Sequence, residues 1–392
     1  MDTKLSSRQR HKMDPKKKFF LFKQSKNFCA VPWNHFEIFT NGDVRTCSKG
    51  HAFGNINDQP LDQILQSPDI QSIKQDLLTD RANKNCTDCH RLTTGTEHFD
   101  LRNHYNPMFK NFNINYEDHT EFELNGIDLH WDNTCNFKCV YCNSAQSSLI
   151  AQEQGVVVNR IDNKNIEEII ARIEKNQYAM KEIYFSGGEP LLVKHNLRLL
   201  KKITNTQLPI RINSNISQAT SSNPVFEELK RFNNVLWTIS ADCLGERFNY
   251  ARHGGDWDQF LANLENIKTL GHGIRLNLVW FVANVSSIAD TIKYFIQEHN
   301  ITDITINQLY YHEYLLARHA PVSLKQQAQK QIDELLSSGL IQEKSNTWYN
   351  ISRCKKELEI EESDPVGYYN YFDQLDQLRG TNWRQVFPEL II

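Results

Sequence analysis

The sequence predicts an α/β protein. Six strand–helix units follow one another and curl into a partial (β/α)6 barrel, with a small cysteine-rich α+β unit in front and a mostly helical region behind. Three observations carry this reading. From residue 124 onward, short strand-like runs alternate with helix-like stretches. Before residue 95 there is a hairpin signal and a set of cysteines. After residue 311 the pattern is helical, with the aromatic run Tyr368-Tyr369-Asn370-Tyr371-Phe372.

Composition bounds the problem. The 392 residues are too many for one small core and suggest two or three units. A hydrophobic share of 40% and a charged share of 23% fit a soluble globular chain. The net charge of −3 offers no global field for nucleic acid or an anionic membrane, so neither is expected as a partner. No apolar run approaches the roughly 20 residues that span a bilayer. Lys16-Lys17-Lys18 followed by Phe19-Phe20-Leu21-Phe22 imitates a signal peptide, but the apolar stretch is short and no small-residue cleavage site follows. Residues 1–18 therefore read as a mobile charged leader and the protein as cytoplasmic.

The elements follow in order. Residues 19–95 form the cysteine-bearing unit. Within it 35–39 alternates as a strand, Asn41-Gly42 supplies a tight turn, and 44–47 returns as the second strand. Leu61, Ile64 and Leu65, then Ile70, Ile73, Leu77 and Leu78 after Pro68, mark helical pieces. Residues 96–123 show no clear period and read as a linker. Strands are expected at 127–131, 182–185, 210–213, 235–240, 275–281 and 303–307 within a barrel spanning 124–310. Helical stretches are expected at 166–173, 226–232, 257–270 and 288–299. Residues 311–392 are expected to pack on the barrel as helices.

Nine cysteines, an odd number without a secretion signal, argue against a disulfide framework. Seven fall in two groups, which points to metal or cluster ligation. Cys135, Cys139 and Cys142 follow the first barrel strand directly, in a βα loop at the rim where barrel enzymes keep their chemistry. Three closely spaced thiolates on a four-iron cluster leave one iron open for another ligand. Zinc ligation and three unlinked buried thiols are the alternatives.

The stretch Trp131-Asp132-Asn133-Thr134-Cys135-Asn136-Phe137-Lys138-Cys139-Val140-Tyr141-Cys142 resembles the signature of the radical SAM superfamily, over roughly residues 124–310. The resemblance implies a [4Fe–4S] cluster that binds S-adenosylmethionine and cleaves it to a 5′-deoxyadenosyl radical, which abstracts a substrate hydrogen. No catalytic residue beyond the cluster ligands is implied. Ser186-Gly187-Gly188-Glu189-Pro190 is similar to the loop that the family uses for the methionine amino group, with the glycines admitting close backbone approach. Tyr141 matches an aromatic near adenine, with core packing as the alternative. Ser214-Asn215 resembles a Thr-Asn-Gly segment in which Ile216 replaces the glycine, so a different turn is expected; Asn215 is either a cofactor contact or a cap. Ser240 and Asp242 match positions for the methionine carboxylate, the ribose or the substrate. Arg252 resembles an arginine aimed at the carboxylate, with a surface ion pair as the alternative. Asn277 and Val279 read as adenosine neighbours or core residues.

Cys29 and Cys47, set around the hairpin, with the pair Cys86 and Cys89, make a second four-thiol set. With Phe53-Gly54-Asn55-Ile56 this arrangement resembles the SPASM and twitch auxiliary-cluster domains. It departs from them in lying before the barrel and in having four cysteines rather than seven. The resemblance implies one auxiliary [4Fe–4S] cluster; structural zinc is the alternative. Cys243 and Cys354 read as buried free thiols, and His130 and Trp131 as packing groups.

The function expected is radical modification of a peptide or protein, fed by a flavodoxin- or ferredoxin-like electron donor. A small-metabolite substrate and a non-catalytic iron–sulfur or zinc binding module are the rivals.

Overall fold

The structure is a computed structural model and describes residues 13–48, 50–86, 89, 101–111, 116–309, 312–360 and 364–391. The chain divides into two compact units. One comprises Met1–Trp131 with Asn159–Ile183, the other Asp132–Val158 with Tyr184–Ile392.

In the first unit the Asn41-Gly42 turn does what its residues predict. Strand β1 (His35–Phe39) pairs antiparallel with β2 (Asp43–Arg45), and β2 with β3 (Gly54–Asn55). Gly42 takes φ +93°, and a side chain there would fall 2.6 Å from Asn55 Oδ1. The other edge of β1 runs parallel to β4 (Gly126–His130), with His35 opposite Gly126 and Phe39 opposite His130. The hairpin and the strand that leads into the three-cysteine loop thus share one sheet. Helices Leu61–Leu65, Pro68–Leu78 and Asn163–Asn176 belong to the same unit. Pro68 opens its helix at the position where a missing N–H costs nothing, and Ser67 caps it. The core gathers Leu21, Phe28, Val31, Trp33, Ile73, Leu77, Tyr105, Phe109 and Tyr116.

Two expectations are corrected here. The leader expected over 1–18 lies outside the described residues as far as residue 12. Beyond that Asp14 caps a helix, Pro15–Lys23, whose Leu21 enters the core, so the three lysines sit on a packed element. The linker expected over 96–123 contains helix Leu101–Phe109, which buries Tyr105 and Phe109; residues 96–100 and 112–115 lie outside the described residues. Pro107 in its last turn hid that helix from the sequence pattern.

The chain crosses between units within β6 (Glu182–Phe185), after β5 (Lys138–Cys139) of the second unit. There β7 (Ile210–Ser214), β8 (Val235–Ser240), β10 (Gly273–Trp280) and β11 (Ile304–Gln308) lie parallel in the order β11-β10-β8-β7. Helices Lys194–Lys202, Pro224–Leu229, Trp257–Lys268 and Ile288–His299 connect them, as the alternation predicted. A two-residue strand, β9 (Arg252–His253), pairs antiparallel with β5. The C-terminal region is helical, as expected: Val322–Ser337, Asn346–Leu358, Pro365–Arg379 and Trp383–Val386. Its second helix satisfies the edge of β11, where Ile304 N donates to Thr347 Oγ1 at 3.0 Å and Ile306 N to Asn350 Oδ1 at 3.3 Å. Among the described residues no helix is long and apolar enough to cross a membrane.

Candidate metal centres

The three-cysteine loop is shaped by its own polar residues. Thr134 donates to Asp132 Oδ1 from its backbone N–H at 2.7 Å and from its hydroxyl at 2.6 Å. Cys135 N donates to Ser148 Oγ at 3.1 Å, Ser147 Oγ donates to Phe137 O at 2.8 Å, and Cys142 N donates to Cys139 O at 3.0 Å. Pairing of β5 with β9 sets Cys139 opposite Arg252. Burial, then the nearby Cys139 charge, pushes the Cys135 thiol up to about 12, and burial raises Cys139 and Cys142 as well. Three thiolates here need a cation to share.

A second loop locks onto this one. Gly187 and Gly188 take φ +73° and +49°. Gly188 N donates to Gln146 O at 3.1 Å and Glu189 N to Thr134 O at 2.8 Å. A side chain on Gly188 would fall 2.4 Å from Thr134 O, so its absence admits the cysteine loop's backbone. Glu189 is fully buried. Its carboxylate accepts from Ser214 Oγ (2.7 Å), Leu191 N (3.0 Å) and Asn215 N (2.7 Å). Burial pushes its pKa up to about 7 against these hydrogen bonds.

The turn after β7 differs from expectation. Ile216 was expected to force a different turn from glycine's, yet it takes φ +53°. A β-branched residue rarely enters this region. It is held by Ile216 N donating to Ser214 Oγ (2.9 Å) and by Asn263 Nδ2 donating to Ile216 O (2.9 Å). The turn presents Asn215, whose Nδ2 donates to Asn136 Oδ1 at 3.0 Å, inside the cysteine loop.

Asp242 is a buried hub. Oδ1 accepts from Val279 N at 2.7 Å; Oδ2 accepts from the Tyr141 hydroxyl and pairs with Arg252 Nε at 2.8 Å. Burial opposes the Arg252 charge, but Asp242, Tyr141 and Cys139 together outweigh it and hold the guanidinium protonated. Arg252 Nη1 lies 3.9 Å from Cys139 Sγ. Arg252 is buried, so the surface ion pair weighed from sequence becomes an internal one beside a cluster thiol. Ser240 donates to Asn213 Oδ1 at 3.4 Å, and Asn277 Oδ1 accepts from Asn307 Nδ2 at 2.7 Å.

In the first unit, Cys29, Cys47, Cys86 and Cys89 line one cavity with Val31, Phe53, Ile73 and Leu101. Burial raises the Cys29 thiol well above its usual range, and the charges of the other three cysteines raise it further. Hairpin and helix bring the four together as their spacing predicted. Cys243 and Cys354 are buried.

A family model described as "Radical SAM superfamily" matches residues 132–295, and one described as "Iron-sulfur cluster-binding domain", the SPASM domain, matches residues 29–90. The two models thus match a radical SAM domain preceded in the chain by a SPASM domain. A GTP 3′,8-cyclase of Marinobacter nauticus is 27% identical over 161 residues, 40% of this chain and 45% of that protein. The radical SAM cyclopropyl synthase TigE of Paramaledivibacter caminithermalis is 25% identical over 197 residues, 47% of this chain and 41% of that protein. The matches therefore span less than half the length of either relative. Native anSMEcpe with bound AdoMet superposes with a TM-score of 0.43 at 18% identity, covering 55% of this chain and 61% of that one. SuiB of Streptococcus suis bound to precursor peptide SuiA gives 0.40 at 15% identity, covering 54% and 46%.

The cofactors of such domains are [4Fe–4S] clusters and S-adenosylmethionine, and the donor sets fit. In the radical SAM domain Cys135, Cys139 and Cys142 offer three thiols on one short loop. In the SPASM domain Cys29, Cys47, Cys86 and Cys89 offer four around one cavity, enough to ligate every iron.

Sequence reasoning missed the residues that clamp the radical SAM loop from the C-terminal region. The Tyr371 hydroxyl donates to Val140 O at 2.7 Å, and His312 Nε2 lies 3.1 Å from Cys142 O. Arg379 donates to Lys138 O at 2.9 Å and forks onto Glu153 at 2.7 and 3.1 Å. The aromatic run around Tyr371 was visible in sequence; its target was not.

Proposed function

We propose that the chain reductively cleaves S-adenosylmethionine and uses the resulting 5′-deoxyadenosyl radical to abstract hydrogen from a peptide or protein substrate. The observation that carries this reading is the three-thiol loop, clamped through its own backbone. Cys135, Cys139 and Cys142 would hold a cluster, which when bound would supply the electron for cleavage of the sulfonium C–S bond.

The chain's own residues do the rest. Gly188 and Glu189 fix the loop through Gln146 O and Thr134 O. Glu189, itself a proposed cofactor contact, accepts from Ser214 Oγ and Asn215 N and so positions that turn. Asp242 likewise acts through Tyr141 and Arg252: the ring is oriented to face adenine, and the guanidinium is kept charged for a carboxylate. Gly187, Asn215 and Ser240 complete the proposed cofactor contacts.

The SPASM domain ahead of the radical SAM domain supports a peptide or protein substrate, an auxiliary cluster in place of zinc, and a flavodoxin- or ferredoxin-like donor. The match to a GTP 3′,8-cyclase favours a small metabolite as the second reading. A reduced compartment, the cytoplasm, suits clusters held by thiolates. The domain limits proposed are 19–95 for the SPASM domain and 124–310 for the radical SAM domain.

Anaerobic reconstitution with iron and sulfide tests the proposal. Reduced wild type should release 5′-deoxyadenosine from S-adenosylmethionine, and the Cys135/Cys139/Cys142→Ala variant should not. Wild-type protein that loads a cluster at these cysteines and releases none would overturn it.

A further inference from the structure

The shared sheet of the first unit carries a polar cluster that neither set of cysteines uses. Glu37 on β1 stands opposite Asp128 on β4, and His130 follows two residues along the same face. One ligand atom from each of the three lies within 4.8 Å of the others. Glu37 is fully buried, Asp128 is buried, and His130 keeps 18% of its side chain open.

The Glu37 carboxylate is the anomaly. His130 Nε2 approaches Oε1 to 2.9 Å but off the line of a ring N–H, and neither Glu37 oxygen accepts a hydrogen bond. Its cross-strand partner Arg45 lays its guanidinium 4.2 Å above the Phe39 ring. A buried carboxylate left this way is strongly unfavourable without a compensating cation. Asp128, by contrast, is oriented from behind. His35 Nδ1 donates to Thr46 O at 2.8 Å, which aims Nε2 at Asp128 Oδ1, 3.1 Å away. An imidazole fixed by a carbonyl and holding a carboxylate in place is the kind of outer-shell support found around metal ligands.

We propose that Glu37, Asp128 and His130 bind a divalent cation that prefers oxygen and imidazole ligands. Two ligands in neighbouring positions on an ion about 2.1 Å from each stand roughly 3 Å apart, which is the spacing between His130 Nε2 and Glu37 Oε1. Three protein ligands leave further positions for water or an oxygen-bearing ligand, on the side where His130 is open.

The test uses the full-length, cluster-loaded protein and Mn2+, which carboxylates accept and thiolates disfavour, so that the cysteines do not compete. Loss of the free Mn2+ electron paramagnetic resonance signal should show about one saturable site per chain. Glu37→Gln and His130→Gln should each weaken it by about tenfold or more, with cluster iron unchanged. Absence of saturable uptake, or equal uptake in both variants, would overturn the proposal. If the variants fail to fold, pulsed measurements on wild type decide: bound Mn2+ should show one imidazole nitrogen coupling, and its absence counts against the site.

Discussion

The two cysteine sites are built in opposite ways. The four SPASM thiols come from places far apart in the chain and meet in a cavity walled by Val31, Phe53, Ile73 and Leu101. The three radical SAM thiols come from one short loop that directed polar bonds hold in shape. The first geometry depends on a packed apolar core, the second on a network of directed bonds. Damage to one type of support should therefore spare the other.

The largest effect separates the sites outright. Cys135/Cys139/Cys142→Ala should abolish 5′-deoxyadenosine release and remove about four irons per chain, leaving SPASM iron in place; loss of all iron would break the comparison. Next comes Asp242→Asn, which leaves Arg252 buried without its anion. It should cost about 3–5 kcal/mol of stability in the melting curve and weaken S-adenosylmethionine binding, with SPASM iron unaffected.

Ile73→Ala is the converse, cutting the apolar wall of the SPASM cavity. It should cost about 2–5 kcal/mol and lower SPASM iron, while the radical SAM cluster keeps its spectrum. The smallest effect is Arg379→Ala, expected at about 1–3 kcal/mol. Hydrogen bonds from Arg379 and Lys138 outweigh burial and hold Glu153 at a pKa of about 2, below its usual 4.5. A depressed carboxyl stabilises the fold above the unfolded value and loses that contribution as pH falls through the folded one. The gap between wild type and Arg379→Ala should therefore be full above pH 4.5 and shrink towards pH 2, measured by denaturant unfolding.

The same contrast governs what the sequence revealed. The cysteine spacing, the Asn41-Gly42 turn and the alternation through β6, β7, β8, β10 and β11 are local signals, and each stands in the structure. The parallel pairing of β1 with β4 joins segments some 90 residues apart and leaves no local mark. Ile216 in a glycine conformation could not be read, because propensity argues against it and only Ser214 and Asn263 hold it there. Glu37 looked like an ordinary alternating strand residue; its burial beside Asp128 follows from the parallel pairing.

The clamp on the radical SAM loop also has a consequence in time. Arg379 and Lys138 meet across 241 residues, and Tyr371 and Val140 across 231. A ribosome therefore releases the three thiols well before it has made the helix that closes over their carbonyls. Iron delivered before that helix is made would meet a loop that Tyr371 and Arg379 do not yet hold.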